Sequence, residues 1–339
     1  MKQIVSRGHT RPLTEISFAV DGPNSTILVS SAHDKCPQIR NGETGDWIGT
    51  FHGHKGAVWS AKVDNLTRTL AATGSGDFTA KLWCVTTGKE LHEFKHKHVV
   101  KSVDFSPDTL HLATGCQDGL LRIYDVCKPS ESPLELKISS SPADGVSKIA
   151  WSLSDSNVVI VGKKSGTIQK WDTRVNSTTT PVATVVIAGG ENIMDFEQSS
   201  AHNVLMVANG KKVCAFSMDE LAPIREFDMP SPMTFKEEGG VSLSPDGRRF
   251  LAVSEGVESI SGALYGDIYH GASDLWLREF DFSTGELLQT YKGHHGPIRC
   301  VRYHPSGKVG ASGSEDGTIR LWDLAATNTA AAAGSNSSR

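Results

Sequence analysis

The chain has 339 residues, with 34 Lys+Arg against 38 Asp+Glu and a formal net charge of −4. This slightly acidic balance speaks against a dedicated nucleic-acid binder, which carries a basic excess. Hydrophobic residues at 38% and charged residues at 21% fit a globular chain with a large core, and no apolar run approaches the ~20 residues of a membrane helix.

Residues 1–7, Met-Lys-Gln-Ile-Val-Ser-Arg, lack the apolar centre of a signal peptide. The sequons at Asn24, Asn65 and Asn176 are therefore expected to go unused. The six cysteines (Cys36, Cys84, Cys116, Cys127, Cys214, Cys300) are scattered, without a C-x-x-C pair. Such usage belongs to a reducing compartment and points to the cytosol or nucleus.

Taken in order, the chain opens with a short strand pattern, Gln3-Ile4-Val5-Ser6, and then repeats itself. A first repeat keeps His9, Ser30 and Asp34, with Arg40 where later copies carry an aromatic. The second is the clearest, with His54, Thr73, Asp77 and Trp83. Its period-two alternation predicts strands over 58–63, 70–73, 79–83 and 90–94. A third carries His98, Thr114, Asp118 and Tyr124. A fourth ends in Trp171-Asp172, with Ser165 at the turn and no His. A fifth ends near Phe216, with Gly210 at the turn. A sixth ends in Phe280-Asp281 with Asp274 six before it, and its extra length is an insertion of about 20 residues around 255–271. The seventh carries His294, Ser312, Asp316 and Trp322 and stops at Leu324. Tight turns are signalled by Gly and Asp, as at Ser244-Pro245-Asp246-Gly247.

The aromatic marks fall at 83, 124, 171, 216, 280 and 322, so the intervals are 41, 47, 45, 64 and 42. The whole chain resembles the WD-repeat family, whose period of ~40–45 residues means four-stranded blades of a β-propeller. The predicted fold is an all-β, seven-bladed propeller over residues 1–324. The last repeat lacks an outer strand, and residues 3–6 are placed to supply it and close the ring. The Ala/Ser/Asn-rich residues 325–339 are expected to be a disordered tail.

His294, Ser312 and Asp316 are the residue types of a hydrolase triad, and His54, Thr73 and Asp77 repeat them. A catalytic site occurs once and needs an exposed nucleophile with an oxyanion hole. Recurrence at blade spacing instead predicts buried hydrogen-bonded tetrads: His54, Thr73, Asp77, Trp83; His98, Thr114, Asp118, Tyr124; and His294, Ser312, Asp316, Trp322. No catalytic residue is assigned.

The pairs His52/His54 and His96/His98 have the i, i+2 spacing that puts two rings on one face of a strand. No Cys or carboxylate set completes a metal site around them. Gly74-Ser75-Gly76 and Gly239-Gly240 lack a phosphate-loop pattern and read as hairpin turns. The basic groups Lys95 to Lys101, Lys163-Lys164 and Arg248-Arg249 read as solvated loops of separate blades, without the continuous stripe a nucleic acid needs. No cofactor, metal, membrane or direct nucleic-acid contact is expected.

In WD propellers the narrow face is built by the loop entering the first strand and the turn before the third. The resemblance places Thr14, His33, Trp59, Lys101, Gln117, Ser147, Lys164, Arg299 and Glu315 there. Trp59 and Arg299 stand out, being of the types enriched at binding hot spots. The competing reading of Trp59 is packing against a neighbouring blade.

Several segments narrow the resemblance: Gly8-His9-Thr10-Arg11-Pro12, Arg40 through Phe51, Gly53 through Trp59, Asp77 through Trp83, His96-Lys97-His98 and Lys292 through Pro297. They look like one group of non-enzymatic WD-repeat adaptors, in which Arg40 also stands without the aromatic. Blades one to three and seven carry the likeness, and blades four to six keep it only as degenerate repeats. The insertion and the short tail depart from animal members, which end in an acidic extension. The resemblance implies a place in the survival-of-motor-neuron complex, with Gemin-type subunits, which loads Sm-protein rings onto small nuclear RNAs. Animal members also bind the RNA-binding protein Unr and dampen transforming-growth-factor-β receptor signalling. The runner-up is the small WD-repeat subunit of a translation initiation factor. An enzyme using the central channel is a third reading, but no acid, base or metal set assembles for it.

Overall fold

A computed structural model describes residues 3–20, 25–175, 178–199, 201–231, 233–235, 239–254 and 275–324. These residues form seven antiparallel four-stranded sheets. Each sheet has an innermost strand, and in blade order these are Leu13–Val20, Val58–Val63, Val100–Phe105, Val146–Trp151, Ile193–Ser199, Gly239–Leu243 and Ile298–Tyr303. In blade two the remaining strands are Leu70–Ser75, Thr79–Cys84 and Glu90–Lys95. They run one or two residues beyond the alternation, because ladder pairing continues to Val58 opposite Ser75 and Thr79 opposite Lys95.

The ring closes as predicted. Gln3–Ser6 lies antiparallel to the third strand of blade seven, with Gln3 opposite Trp322 and Ser6 opposite Ile319. Ser6 Oγ also donates to Gly45 O of blade one at 2.8 Å. In the turn at Ser244, the Gly247 N–H donates to Ser244 O at 2.8 Å. Gly247 has φ 69°, a region glycine enters without a Cβ clash.

The core lies between blades rather than within them. Val29, Ile39 and Phe51 of blade one pack with Ala61, Val63 and Trp83 of blade two. One such layer separates each pair of neighbours, and the last joins Ala311 and Leu321 of blade seven to Leu13 and Leu28 of blade one. Each sheet is thus apolar on both faces, which is why Val204–Asn209 is buried throughout. Burying each Val, Leu or Ile contributes ~1.5–3 kcal/mol.

The innermost strands would present unpaired N–H groups to the channel. Side chains of the preceding blade accept them: Ala61 N–H donates to Glu15 at 3.1 Å, Val103 N–H to Ser60 at 3.2 Å, and Ile149 N–H to Ser102 at 3.1 Å. Val241 N–H donates to Asp195 at 3.3 Å and Tyr303 N–H to Ser242 at 2.8 Å. The corresponding residue of blade four is Lys148, whose ammonium cannot accept. It pairs instead with the Asp195 carboxylate at 3.5 Å.

Gly239-Gly240 proves to be the start of an innermost strand, not a hairpin turn. A Cβ on Gly239 would stand 2.5 Å from the Phe235 ring, and one on Gly240 2.9 Å from Val301 N. The glycines permit close approach rather than a turn, and of Gly74-Ser75-Gly76 only Gly76 lies beyond its strand. The insertion at 255–271, the mark Asp274, the sequons Asn24 and Asn176 and the tail 325–339 lie outside the described residues. Among the described residues, no helix is long and apolar enough to cross a membrane.

Candidate functional site

In blade two, His54 Nδ1 lies 2.8 Å from Asp77 Oδ2 and Nε2 lies 2.7 Å from Thr73 Oγ1, while Trp83 Nε1 donates to Thr73 at 2.8 Å. Blade seven repeats this, with His294 3.0 Å from Asp316 and 2.8 Å from Ser312, and Trp322 donating to Ser312 at 2.7 Å. Burial works to raise the Asp316 carboxyl, but hydrogen bonds from His294, Thr318 and the His295 backbone hold it well below the usual carboxylate range. Blade one keeps His9 at 2.8 Å from both Asp34 and Ser30. There Arg40, in place of the aromatic, donates to Arg7 O at 2.7 Å and Gly45 O at 3.2 Å. Ser312 and Thr73 are fully buried, so neither hydroxyl is open to a substrate.

Blade three differs from the expected set. His96, not His98, meets Thr114, with Nε2 2.9 Å from Oγ1. His98 turns its Nδ1 to its neighbour's Val99 N–H at 2.8 Å, and Asp118 pairs with Arg122 at 2.8 Å. Both histidines lie in a loop after the fourth strand, so strand periodicity does not fix which ring turns inward. The same holds for His52 and His54. His52 is exposed near Cys36 while His54 is buried, and the two rings do not share a face.

The degenerate blades use other polar groups. In blade four, Asp144 comes from the preceding loop to accept from Ser165 N–H at 2.9 Å and to pair with Lys163 at 2.7 Å. In blade six, the buried Glu279 carboxylate holds Arg249 at 2.7 Å and accepts from Tyr291 at 2.7 Å and Tyr303 at 2.9 Å. Arg249 is therefore a buried partner and not a solvated loop cation.

The predicted narrow-face residues come together at one mouth of the central channel. A cavity of about 340 Å³ there is lined by Thr14, Trp59, Lys101, Gln117, Ser147, Lys164 and Arg299, among others. The two remaining candidates stand just behind. His33 packs edge-on against Trp59 at 5.0 Å, and Glu315 accepts from Arg299 Nε at 2.8 Å. Lys101 Nζ lies over the Trp59 ring, 2.9 Å from its centroid. All of these residues are half-buried. Trp59 thus touches blades one and three as well as facing the mouth, so both readings of it hold in part. Burial, then Arg299 and Lys101, push the His33 pKa down.

A second cavity of about 490 Å³ opens at the opposite mouth, and both reach Glu15, Lys148 and Arg302. These belong to a charged belt across the channel that the sequence reading missed. Lys62 lies 3.2 Å from Glu15, and Arg302 lies 2.6 Å from Asp195 and 3.6 Å from Glu197. Burial works to raise Glu15, but Lys62, Lys148 and Arg302 bring it to about 2. Burial raises Asp104 and Glu197 to about 6, against the pull of Lys62 on the first and Arg302 on the second. The signal available in sequence was a charged residue inside six of the seven innermost strands, such as Glu15, Lys62, Asp104, Lys148, Asp195 and Arg302. Among the described residues, no three His, Cys, Asp or Glu side chains group to hold a metal ion.

Seven four-stranded blades, closure by the N-terminal strand and recurrent His–Asp–Ser/Thr–Trp sets define a WD-repeat β-propeller. The WD domain, G-beta repeat family matches residues 45–84, 88–125 and 285–323. The chain is 39% identical to the serine-threonine kinase receptor-associated protein of Gallus gallus over 322 residues, which cover 95% of this chain and 82% of that protein. Its counterpart in Dictyostelium discoideum is 34% identical over 319 residues, covering 94% of this chain and 98% of that protein. Eukaryotic translation initiation factor 3 subunit I of Culex quinquefasciatus is 29% identical over 338 residues, covering 95% and 96%. The chain belongs to the serine-threonine kinase receptor-associated protein family.

Proposed function

We propose that the chain is a non-catalytic interaction scaffold that works with the survival-of-motor-neuron complex in loading Sm-protein rings onto small nuclear RNAs, in the cytoplasm and nucleus. The observation that carries the reading is the end-to-end similarity to serine-threonine kinase receptor-associated proteins, which includes one from Dictyostelium discoideum. Gemin-type subunits and the RNA-binding protein Unr are the partners this family reading brings. The binding surface is the mouth formed by Thr14, His33, Trp59, Lys101, Gln117, Lys164, Arg299 and Glu315. Their convergence around one cavity supports it. Blades two and seven flank this mouth with complete tetrads, and a stiff scaffold lowers the ordering cost of binding.

Purification of the tagged chain from its own cells, with mass spectrometry of what co-elutes, tests the assignment. Sm-ring assembly factors are expected. Recovery of initiation-factor subunits in their place would move the chain to the function named in the Culex relative.

A further inference from the structure

We propose that the outer slot of blade seven is an exchangeable docking site: the closing strand Gln3–Ser6 yields it to an extended segment of a partner protein that carries a glutamate opposite Arg320. This surface is independent of the mouth around Trp59.

A cation recurs two residues before the aromatic mark of several blades. In blade two it is Lys81, opposite Glu93 in the ladder, and its ammonium lies 2.7 Å from both Glu93 and Glu90. In blade three it is Arg122, opposite Glu135, and its Nε donates to that carboxylate at 2.8 Å. In both blades the outer strand supplies the acid. In blade seven the cation is Arg320, and the residue opposite is Val5. Gln3 stands where blade two has Glu90, each opposite its blade's tryptophan.

Arg320 is nearly as buried as its counterparts, at 6% exposure against 4% for Lys81 and for Arg122. Its Nε finds no hydrogen-bond partner, and its Nη1 donates to the neutral amide oxygen of Gln3 at 2.9 Å. Asp316 is the counterpart of the Asp118 that pairs with Arg122, but it is taken by His294 and Thr318. A buried charge is costly unless it is paired. Blade seven therefore lacks the carboxylate that its covering strand would have to bring.

The closing strand is also lightly held. It has four residues, of which Gln3, Ile4 and Val5 are exposed, so lifting these three gives up little apolar burial. Ser6 stays anchored on Gly45 O. The edge so bared offers its N–H and C=O groups to an extended chain, and the side chains at alternate places set the specificity. The tethered strand competes at an effective concentration on the order of millimolar, so an incoming strand must hold better. A glutamate in the place of Val5 does so, because charge-assisted hydrogen bonds are roughly twice as strong as neutral ones. A second copy's Gln3–Ser6 brings the same Val and Gln and gains no ion pair, so the occupant is a different, acidic strand.

The test is fluorescence anisotropy on the full chain with a labelled peptide of residues 131–139, which contains blade three's own outer strand, and the same peptide with Glu135→Val. Titrated to about 1 mM, the Glu peptide is expected to bind at least about ten-fold tighter than the Val peptide. Val5→Glu in the chain supplies the carboxylate from within. It should raise the melting temperature and weaken peptide binding at least about ten-fold, while Val186→Glu, the same change on the outer strand of blade four, does neither. Hydrogen exchange reads the slot without peptide. The amides of Ile319–Asp323 that face the closing strand should exchange at least about ten-fold faster than their counterparts in Thr79–Cys84, and Val5→Glu should slow them. Failure of the Glu peptide to bind, equal binding of the two peptides, binding that survives Val5→Glu, an unchanged melting temperature in that variant, or exchange as slow as in blade two overturns the proposal. Dimerisation of the chain without peptide binding overturns it too, by making a second copy the occupant.

Discussion

Arg302 of blade seven reaches past blade six to Asp195 of blade five, its terminal nitrogens 2.6 and 2.9 Å from the two carboxylate oxygens. Blade six lets it pass because it presents Gly240 and Ser242 to the channel. Both charged side chains are buried. Breaking such a pair leaves an uncompensated charge, so Asp195→Ala should cost ~3–5 kcal/mol. Urea unfolding measures it, and a loss near that of an exposed ion pair would show that water screens this pair inside the channel.

Asp316→Ala leaves His294 Nδ1 and Thr318 Oγ1 short of a partner and should cost ~1–3 kcal/mol. Thermal melting reads the loss. A hydrolase screen run beside it should find no activity in either protein, and a parental activity abolished by Ser312→Ala would replace the structural role with a catalytic one.

Blade three separates two neighbouring histidines. His96→Ala removes the bond to Thr114 and should lower the melting temperature, while His98→Ala should lower it less. Burial, with help from the Arg122 charge, pushes His96 down to about 4, so it is neutral at pH 7. An NMR titration should find the His96 ring still neutral at pH 5.5.

Folding raises the carboxyls of Asp104 and Glu197 to about 6, with Lys62, Glu15, Arg302, Ser242 and Asp195 facing one or both of them. The folded state thus holds these protons to higher pH than the unfolded chain does. Their contribution is full below about pH 4 and is lost as pH rises through about 6. Asp104→Asn with Glu197→Gln should flatten stability between pH 4 and 7 and stabilise the protein near pH 7.5 by on the order of 1–2 kcal/mol per site. A quarter of the Glu197 side chain remains accessible, which keeps its share at the lower end. Unfolding midpoints across pH test it, and an unchanged slope contradicts it.

The blades were legible because their marks are local: His54, Thr73, Asp77 and Trp83 fall within one repeat, and the alternation of Val58–Val63 shows one strand at a time. Closure was legible too, since the last repeat lacks a strand that Gln3–Ser6 can supply. The charged belt was not, because Glu15 and Arg302 stand at opposite ends of the chain and meet only in the closed ring. Within one strand each reads as an ordinary solvent-side residue. Glu279 was hidden similarly, its partners Arg249 and Tyr303 lying in other strands. In blade three, two histidines competed in a loop, and only the fold shows which turns inward.

The proposed protein-binding surface is the mouth around Trp59 and Arg299. Both side chains are half-buried, Trp59 against His33 and Lys101 and Arg299 against Glu315. The Arg299–Glu315 pair sits at the solvent-filled mouth, where loss of an ion pair costs on the order of 1 kcal/mol, so the double variant Trp59→Ala/Arg299→Ala should melt within a few degrees of the parent. Truncating an aromatic and an Arg at an interface centre typically costs at least ~2 kcal/mol each. The direct measurement is the affinity of parent and double variant for the co-purifying partner, read with their melting temperatures. The prediction is a loss of at least about two orders of magnitude in affinity with little change in melting. Unchanged affinity of the folded fraction, with a large drop in melting temperature, would contradict it and make Trp59 an inter-blade packing residue.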